Sequence, residues 1–373
     1  MTATEKHAAR INLAPPRQSL TERFQRWEWF LVLLILLVVV VNSSLTPFFL
    51  RANNLFRTSS DFMELGLMML PMVFIITTGN VDLSVASTMG MTASFMGWLF
   101  NQGVNIWIAA GAALLLGLLA GMFNGFLTTR LKVPALVITL GTFAFYRGIA
   151  YVLLGDQAAR GYPKEFLFLG QGRVFGTPIP FSVVLFAVLA VIFGLVLHKT
   201  TLGRYLYAIG SNADASVYSG VPVDRVKMII FSLSGVMSAL AGIILAARFA
   251  STRPDIGLGL ELTVITATVL GGVDIRGGKG TMVGAVLALV LVGLMRFGMG
   301  LVNIQGQTQS IAIGLLLILS ILLPNIAQML RVRPGRQQVI NRRALLAGVL
   351  FIAALIAFGL FFFWSRAVVF SIS

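Results

Sequence analysis

The chain has 373 residues, of which 57% are hydrophobic and 11% charged, with a mean hydropathy of +0.91; this excludes a soluble globule and places the chain in a bilayer. Its formal net charge is +15, but the basic residues are interspersed among apolar segments with no aromatic-basic RNA motif, so a positive-inside bias explains them better than nucleic acid does. With no Cys in the chain, disulfides, Cys-ligated zinc and thiol catalysis are excluded; His7 and His198, its only histidines, read as interfacial or solvated, which leaves no metal or His-based site.

Residues 1–27 form a polar, basic tail containing Pro15 and Pro16, read as a disordered cytoplasmic segment. The apolar run from Trp29 lacks a small-x-small cleavage site and is read as a retained first helix. A hydrocarbon core about 30 Å thick needs roughly 20 apolar residues per helix. On that measure helices are expected near 28–46, 62–79, 84–101, 105–129, 134–154 and 178–198, returning the chain to the cytoplasm. The segment from Lys199 to Lys227 then lies inside with Arg204 and Arg225, as does the hairpin Arg130-Leu-Lys132.

A seventh helix is expected near 226–249. The apolar stretch Leu262–Val273 is too short to span alone and reads as a half-helix entering from outside, with irregular backbone at 276–280 at its inner end. Helices near 281–300 and 308–330 follow. Arg331, Arg333, Arg336, Arg342 and Arg343, without an intervening acid, mark a basic cytoplasmic loop at 331–343. A further apolar segment, Ala344–Trp364, within an extra C-terminal span and tail at 344–373, would leave Ser373 outside. The expected class is an all-α integral membrane protein of about ten transmembrane helices with one broken or half-span segment, plus this extra helix.

Polar residues interrupt the apolar pattern at a few places. Thr77-Thr-Gly-Asn-Val-Asp-Leu-Ser-Val-Ala-Ser87 sets a carboxylate between two apolar helices. Gly79 would end one helix, and Asp82 or Ser84 could cap the next; equally, Asn80, Asp82 and Ser84 could face a translocation path through a broken helix. Arg147 lies about ten angstroms from the outer end of its helix at 1.5 Å per residue, and either snorkels outward, which needs no partner, or faces a central cavity. Asn124, flanked by Gly121 and Gly125, suits interhelical hydrogen bonding first and solute contact second.

The glycine-rich segment Gly271-Gly-Val-Asp-Ile-Arg-Gly-Gly-Lys-Gly280 fails the phosphate-loop pattern, because Gly280 stands where Ser or Thr should follow Lys279. A tight turn built on Gly271, Gly272, Gly277, Gly278 and Lys279 explains it better. Within 199–227, Gly210, Asn212 and Gly220 bracket a short amphipathic helix that would offer Ala213, Ser216 and Val217 on one face. Such a small-faced helix is either plain surface or a grip for a partner protein.

Four of these segments, in order over roughly residues 50–330, resemble the permease subunits of ATP-binding cassette importers for ribose, xylose, arabinose, galactose, rhamnose and autoinducer-2. Thr78-Gly-Asn-Val-Asp-Leu-Ser-Val-Ala-Ser87 is similar to the family's Gly-Gly-Ile-Asp-Leu-Ser-Val-Gly-Ser, with Asn80 and Ala86 replacing glycines. Val133-Pro-Ala-Leu-Val-Ile-Thr-Leu-Gly-Thr142 with Tyr146-Arg-Gly148 resembles its Pro-Phe-Ile-Ala-Thr-Leu-Gly…Arg-Gly segment. Ala208-Ile-Gly-Ser-Asn212 with Ser219-Gly-Val221 is similar to its coupling motif, and Val269-Leu-Gly-Gly272 with Gly277-Gly-Lys-Gly-Thr281 to its last glycine motif. Asp274-Ile-Arg276 and the helix at 344–364 depart from the family pattern.

The resemblance implies a ten-helix fold, a second permease subunit, identical or different, two cytoplasmic ATPase domains, and a periplasmic sugar-binding protein. The chain would bind no cofactor itself, ATP being used by the partner ATPase. It would sit in the bacterial inner membrane with its N-terminus in the cytoplasm, and the solute would cross unmodified. Asn80, Asp82, Ser84 and Asn124 would line or shape the path, with Arg147 able to donate to sugar hydroxyls, and much of the specificity would lie with the binding protein. Gly210, Asn212, Ala215, Ser219 and Gly220 would form the ATPase-coupling loop. A secondary transporter would need midplane carboxylates, for which only Asp82 and Glu64 qualify; a membrane enzyme would need a nucleophile-base pair, which the sequence lacks.

Overall fold

A computed structural model of the chain describes residues 27–174 and 176–331. The tail at 1–26, the basic loop beyond 331 and the added helix at 344–364 lie outside the described residues. The helices in chain order are α1 (Trp27–Leu45), α2 (Ala52–Ser59), α3 (Met63–Thr77), α4 (Val85–Asn101), α5 (Ile106–Arg130), α6 (Ala135–Leu154), α7 (Lys164–Gln171) and α8 (Phe181–Lys199). Then come α9 (Thr201–Ser211), α10 (Ala213–Tyr218), α11 (Val223–Phe249), α12 (Leu260–Leu270), α13 (Met282–Leu301) and α14 (Gly306–Arg331). Two short strands, β1 (Ala159–Arg160) and β2 (Ser251–Thr252), pair antiparallel.

Seven helices among the described residues are long and apolar enough to cross a membrane, the second being the continuous run Ala52–Thr77. The ten-helix count is not reached on this measure. α4 has 17 residues, rich in Ser, Thr, Gly and Met, and α12 has 11, a rise of only about 16 Å at 1.5 Å per residue. α12 is therefore too short to cross a bilayer alone, as expected of the short apolar run. The helix expected at 62–79 begins earlier: α2 and a 3-10 turn at Ser60–Phe62 lead into it. Arg51, Asn53, Asn54, Arg57 and Asp61 hide that extension from a hydropathy reading, because they make it a surface helix.

Every residue of α3 is buried. A helix apolar on all faces has no side to turn to solvent, so it becomes the centre of the bundle. The most extensive helix pair is α5 with α11, and glycines allow it. Gly117, Gly121 and Gly125 recur every fourth residue on one face of α5, and the α11 backbone at Gly235, Phe231 and Met228 occupies the space where their side chains would be. With lipid on the outside as apolar as the core, close packing of small residues replaces the hydrophobic effect as the force joining helices. Leu33, Leu36, Leu37 and Val40 of α1 and Val188, Val191, Ile192 and Leu195 of α8 stay exposed, as side chains facing acyl chains must.

The connections gather at two ends. At one, Tyr162 Oη donates to Thr252 Oγ1 at 2.7 Å and Gln171 Nε2 donates to the Arg248 carbonyl at 3.0 Å. These tie the α6–α7 link to the exit of α11. At the other end lie α9, α10, the α3–α4 break and the α12–α13 turn.

Candidate functional site

The break between α3 and α4 starts at Gly79, whose φ of +75° a side chain would resist. Thr77 and Thr78 return their hydroxyls to the carbonyls of Val73 and Ile75, and Asn80 Nδ2 donates to Thr78 Oγ1 at 2.9 Å. Asp82, 3% exposed, accepts the Ser84 amide (2.9 Å) and Ser84 hydroxyl (2.6 Å) at Oδ1 and the Ser234 hydroxyl (2.9 Å) at Oδ2. Ser84 Oγ in turn accepts from Asn124 Nδ2 at 2.8 Å, and Tyr146 Oη donates to the Ala120 carbonyl at 3.0 Å beside Asn124. One polar knot thus joins the helix break to α5, α6 and α11.

This corrects the capping expectation. Neither Asp82 nor Ser84 caps α4 through its side chain, because the Ser84 hydroxyl is shared between Asp82 and Asn124, and Asp82 reaches only the amide of Ser84 itself. Among the described residues Asp82 has no cationic partner. Its partners there are the Ser84 amide and the Ser84 and Ser234 hydroxyls. Asn124 makes the interhelical bond its setting suggested. Ser234 escaped the sequence reading, since one serine in an apolar helix carries no signal until its partner is known.

Snorkelling is also overturned. Arg147 is 7% exposed, and its guanidinium donates inward to the carbonyls of Pro254 (2.8 Å), Ile256 (3.0 Å) and Ala86 (2.9 Å). Gly90 leaves room for it, since a side chain there would strike the guanidinium. The segment after β2 folds into the bundle and offers carbonyls that a fork of N–H donors can gather, so the arginine does not need to reach the interface. Glu64, 2% exposed, is bound by Arg248 Nε at 2.8 Å, and Arg248 Nη1 also meets Asp61 at 2.7 Å. Its carboxylate is already paired.

At the other end, the glycine segment forms a turn between α12 and α13. Gly272, Gly277, Gly278 and Gly280 all have positive φ. The Asp274 amide donates to the Lys279 carbonyl at 3.1 Å, closing the turn, and the Lys279 side chain is exposed. Gly271 instead lets the backbone of Gly284 and Ala285 approach. The amides of Arg276 and Gly277 bond back to Asp274, and that of Gly278 donates to the Thr77 carbonyl at 2.8 Å. All three amides are taken within the chain.

That last bond brings three elements together. A side chain on Gly277 would stand 2.7 Å from the Gly79 amide nitrogen and 2.9 Å from Gly210 Cα, and one on Gly210 would overlap the Thr77 carbonyl. The end of α3, the end of α9 and the glycine turn therefore meet backbone to backbone. Tyr207 Oη on α9 donates to the Gly280 carbonyl at 2.7 Å; burial pushes this phenol above its ordinary pKa, so it remains a donor.

Gly210 is not a turn residue, as the bracketing expectation had it; it lies inside α9, and its role is close approach. Asn212 caps α10, accepting the Ala215 amide at 2.9 Å, and Ser219 Oγ donates to the Ala215 carbonyl at 2.9 Å. Gly220, at φ +80°, makes the exit turn. Ser216 is buried rather than offered outward, while Ala215 is exposed and Val217 and Tyr218 are 57% and 91% exposed. The six residues of α10 turn almost wholly to solvent.

The family described as "Branched-chain amino acid transport system / permease component" matches residues 54–321, the span that holds both the polar knot and this junction. This chain belongs to that family. The permease is 37% identical over 302 residues to the autoinducer 2 import system permease protein LsrD of Enterobacter sp. (strain 638), covering 79% of the chain and 92% of that protein. It is 37% identical over 298 residues to LsrD of Escherichia coli (strain SMS-3-5 / SECEC), covering 78% and 90%, and 36% identical to LsrD of Shigella flexneri over the same shares. No solved structure matches it. The permease is thus a multi-pass membrane component of the ATP-binding cassette importer class.

Proposed function

We propose that the permease forms half of a translocation path for a small sugar or sugar-like solute, driven by ATP hydrolysis on a separate cytoplasmic subunit. The observation that carries this reading is the junction of Gly210, Thr77–Gly79 and Gly277–Gly278. α10 projects beside it, small and exposed, as a helix that an ATPase groove could grip. A push on α10 and α9 would reach the end of α3 and the glycine turn directly, because no flexible side chain lies between the backbones to absorb it.

The α3–α4 break would move with Thr77, and with it Asn80, Asp82 and Ser84. Asn124 and Ser234 hold that break to α5 and α11, so a shift would open or close the path between these helices. On this reading the coupling loop spans 199–227, α9 and α10 face the cytoplasm, the N-terminus lies on the same side, and the fold completes about ten helices in the bacterial inner membrane. The partners are an ATPase, a second permease and a periplasmic binding protein.

The relatives are named for autoinducer 2, which favours that solute or a pentose or rhamnose-like sugar of similar size. Proteoliposomes holding the permease with its ATPase, second permease and binding protein provide the test. Uptake of labelled autoinducer 2 or pentose should require ATP inside and persist without a proton gradient. Uptake that follows the proton gradient and ignores ATP would overturn the reading.

A further inference from the structure

Residues 253–259 leave β2, fold against α4 and α6, and return to the start of α12. Within this strap the hydrogen bonds are local turns: the Ile256 amide to the Arg253 carbonyl, Leu258 to Asp255, and Leu260 to Gly257, each at 3.1 Å. Among the described residues, the hydrogen bonds that tie the strap to the rest of the bundle are the two from Arg147 to the carbonyls of Pro254 and Ile256. Its N-terminal end is anchored by the β2 pairing, and its hinge lies in the C-terminal half. Ala250, Gly257 and Gly259 have φ of +51°, +73° and +85°, and Leu258 is 59% exposed. Pro254 and Ile256 pack into the bundle, but the strap's hydrogen bonds to it come from one side chain, and with two left-handed glycines in its C-terminal half it can swing about that end.

Beneath it lie polar atoms with nothing to bond. Arg147 Nε, Ser87 Oγ, Ser94 Oγ and Glu261 Oε2 are buried without partners. Ser87 and Ser94 stand three and four residues from Gly90 on α4, on the face against which Arg147 rests. Each such atom disfavours the closed arrangement, since water would satisfy it on opening. Glu261 sits where the strap joins α12, its carboxylate near the Gly259 amide, and its charge and that of Arg147 attract each other. Asp255 also attracts Arg147, but it pairs at the surface with Arg253 at 3.2 Å.

We propose that residues 253–259 are a gate over a hydrophilic vestibule, latched by Arg147 through the Pro254 and Ile256 carbonyls and opened when Arg147 exchanges those carbonyls for the Glu261 carboxylate. A buried guanidinium cannot release two acceptors without a substitute. Glu261, uncommitted at Oε2 and next to the Gly259 hinge, supplies one as the strap leaves. The two residues thus have opposite effects: Arg147 holds the closed form and Glu261 stabilises the open one. The assignment rests on the transport reading only for its use, since the swing itself involves no solute or ATPase.

Because the chain has no Cys, Ser87→Cys gives a single reporter thiol, buried at 0% exposure on α4 next to Ala86, whose carbonyl also accepts from Arg147. The full-length permease in nanodiscs is treated with a bulky, water-soluble maleimide, with elution profile and melting temperature as fold controls. Arg147→Lys, which keeps the charge but not the fork, should raise the labelling rate by about tenfold or more. Glu261→Gln should lower it by a similar factor. If both variants accelerate labelling, Glu261 merely stabilises the closed structure and the proposal is overturned, as it is if Arg147→Lys leaves the rate unchanged. Should Arg147→Lys not fold, the sign of the Glu261→Gln effect decides alone. Labelling uses neither solute nor ATP, so failed uptake with the expected labelling would count against the transport reading and not against the gate.

Discussion

Ser234 Oγ donates to Asp82 Oδ2 at 2.9 Å across 152 residues of chain, and this bond joins the helix break of α3–α4 to the long helix α11. Removing Ser234 leaves Asp82 Oδ2 without its partner, and removing Asp82 leaves the Ser234 hydroxyl without its acceptor. Ser234→Ala should destabilise the permease by roughly 1–3 kcal/mol, the cost of an unsatisfied buried group, and Asp82→Ala by more, since both Ser84 and Ser234 lose their acceptor. If the knot shapes the path, Asp82→Ala should also reduce uptake per folded molecule. Uptake normalised to monodisperse protein, unchanged from the parent, would leave Asp82 a purely structural residue.

Two glycines in one segment should respond differently to the same change. At Gly210 an added methyl overlaps the Thr77 carbonyl, so Gly210→Ala must push α9 from α3 at an overpacking cost of about 1–3 kcal/mol. At Gly220 nothing lies within 4 Å, and only the φ of +80° resists, which costs about 1–2 kcal/mol. Gly210→Ala is therefore expected to lose ATP-driven uptake while Gly220→Ala retains it at a slightly lower melting temperature. Equal loss in both would mean the junction does not transmit motion.

Ala215 is exposed on α10, and Ala215→Glu should leave folding unchanged. An ATPase groove closed around α10 would have to bury an unpaired carboxylate, at several kcal/mol. Co-purification of the ATPase with the Ala215→Glu permease should fail and uptake should cease. Retention of the ATPase with normal hydrolysis would show that α10 is not the coupling surface.

Arg248 neutralises Glu64, whose side chain is 2% exposed. Arg248→Met leaves that carboxylate buried and unpaired, so the permease should lose about 3–5 kcal/mol. The double variant Arg248→Met/Glu64→Met should recover most of this. Thermal unfolding in detergent measures both, and a double variant no better than the single one would mean Arg248 acts through Asp61 instead.

The positions of the long helices were legible in the sequence because hydropathy, length and helix-stop residues act along the chain. The shortness of α12 and the glycine turn followed from the same local logic, as did the family resemblance. What the sequence could not determine was the partner of each buried polar group. Asp82, Arg147 and Glu64 all read as charges out of place, yet one is held by Ser234, one by the carbonyls of Pro254, Ile256 and Ala86, and one by Arg248. Gly210 read as a turn and proved to be a point of backbone contact with Thr77. A buried polar group or a glycine takes its role from whatever packing sets against it, and those neighbours come from elements far away in the chain. Only the tertiary structure brings them together.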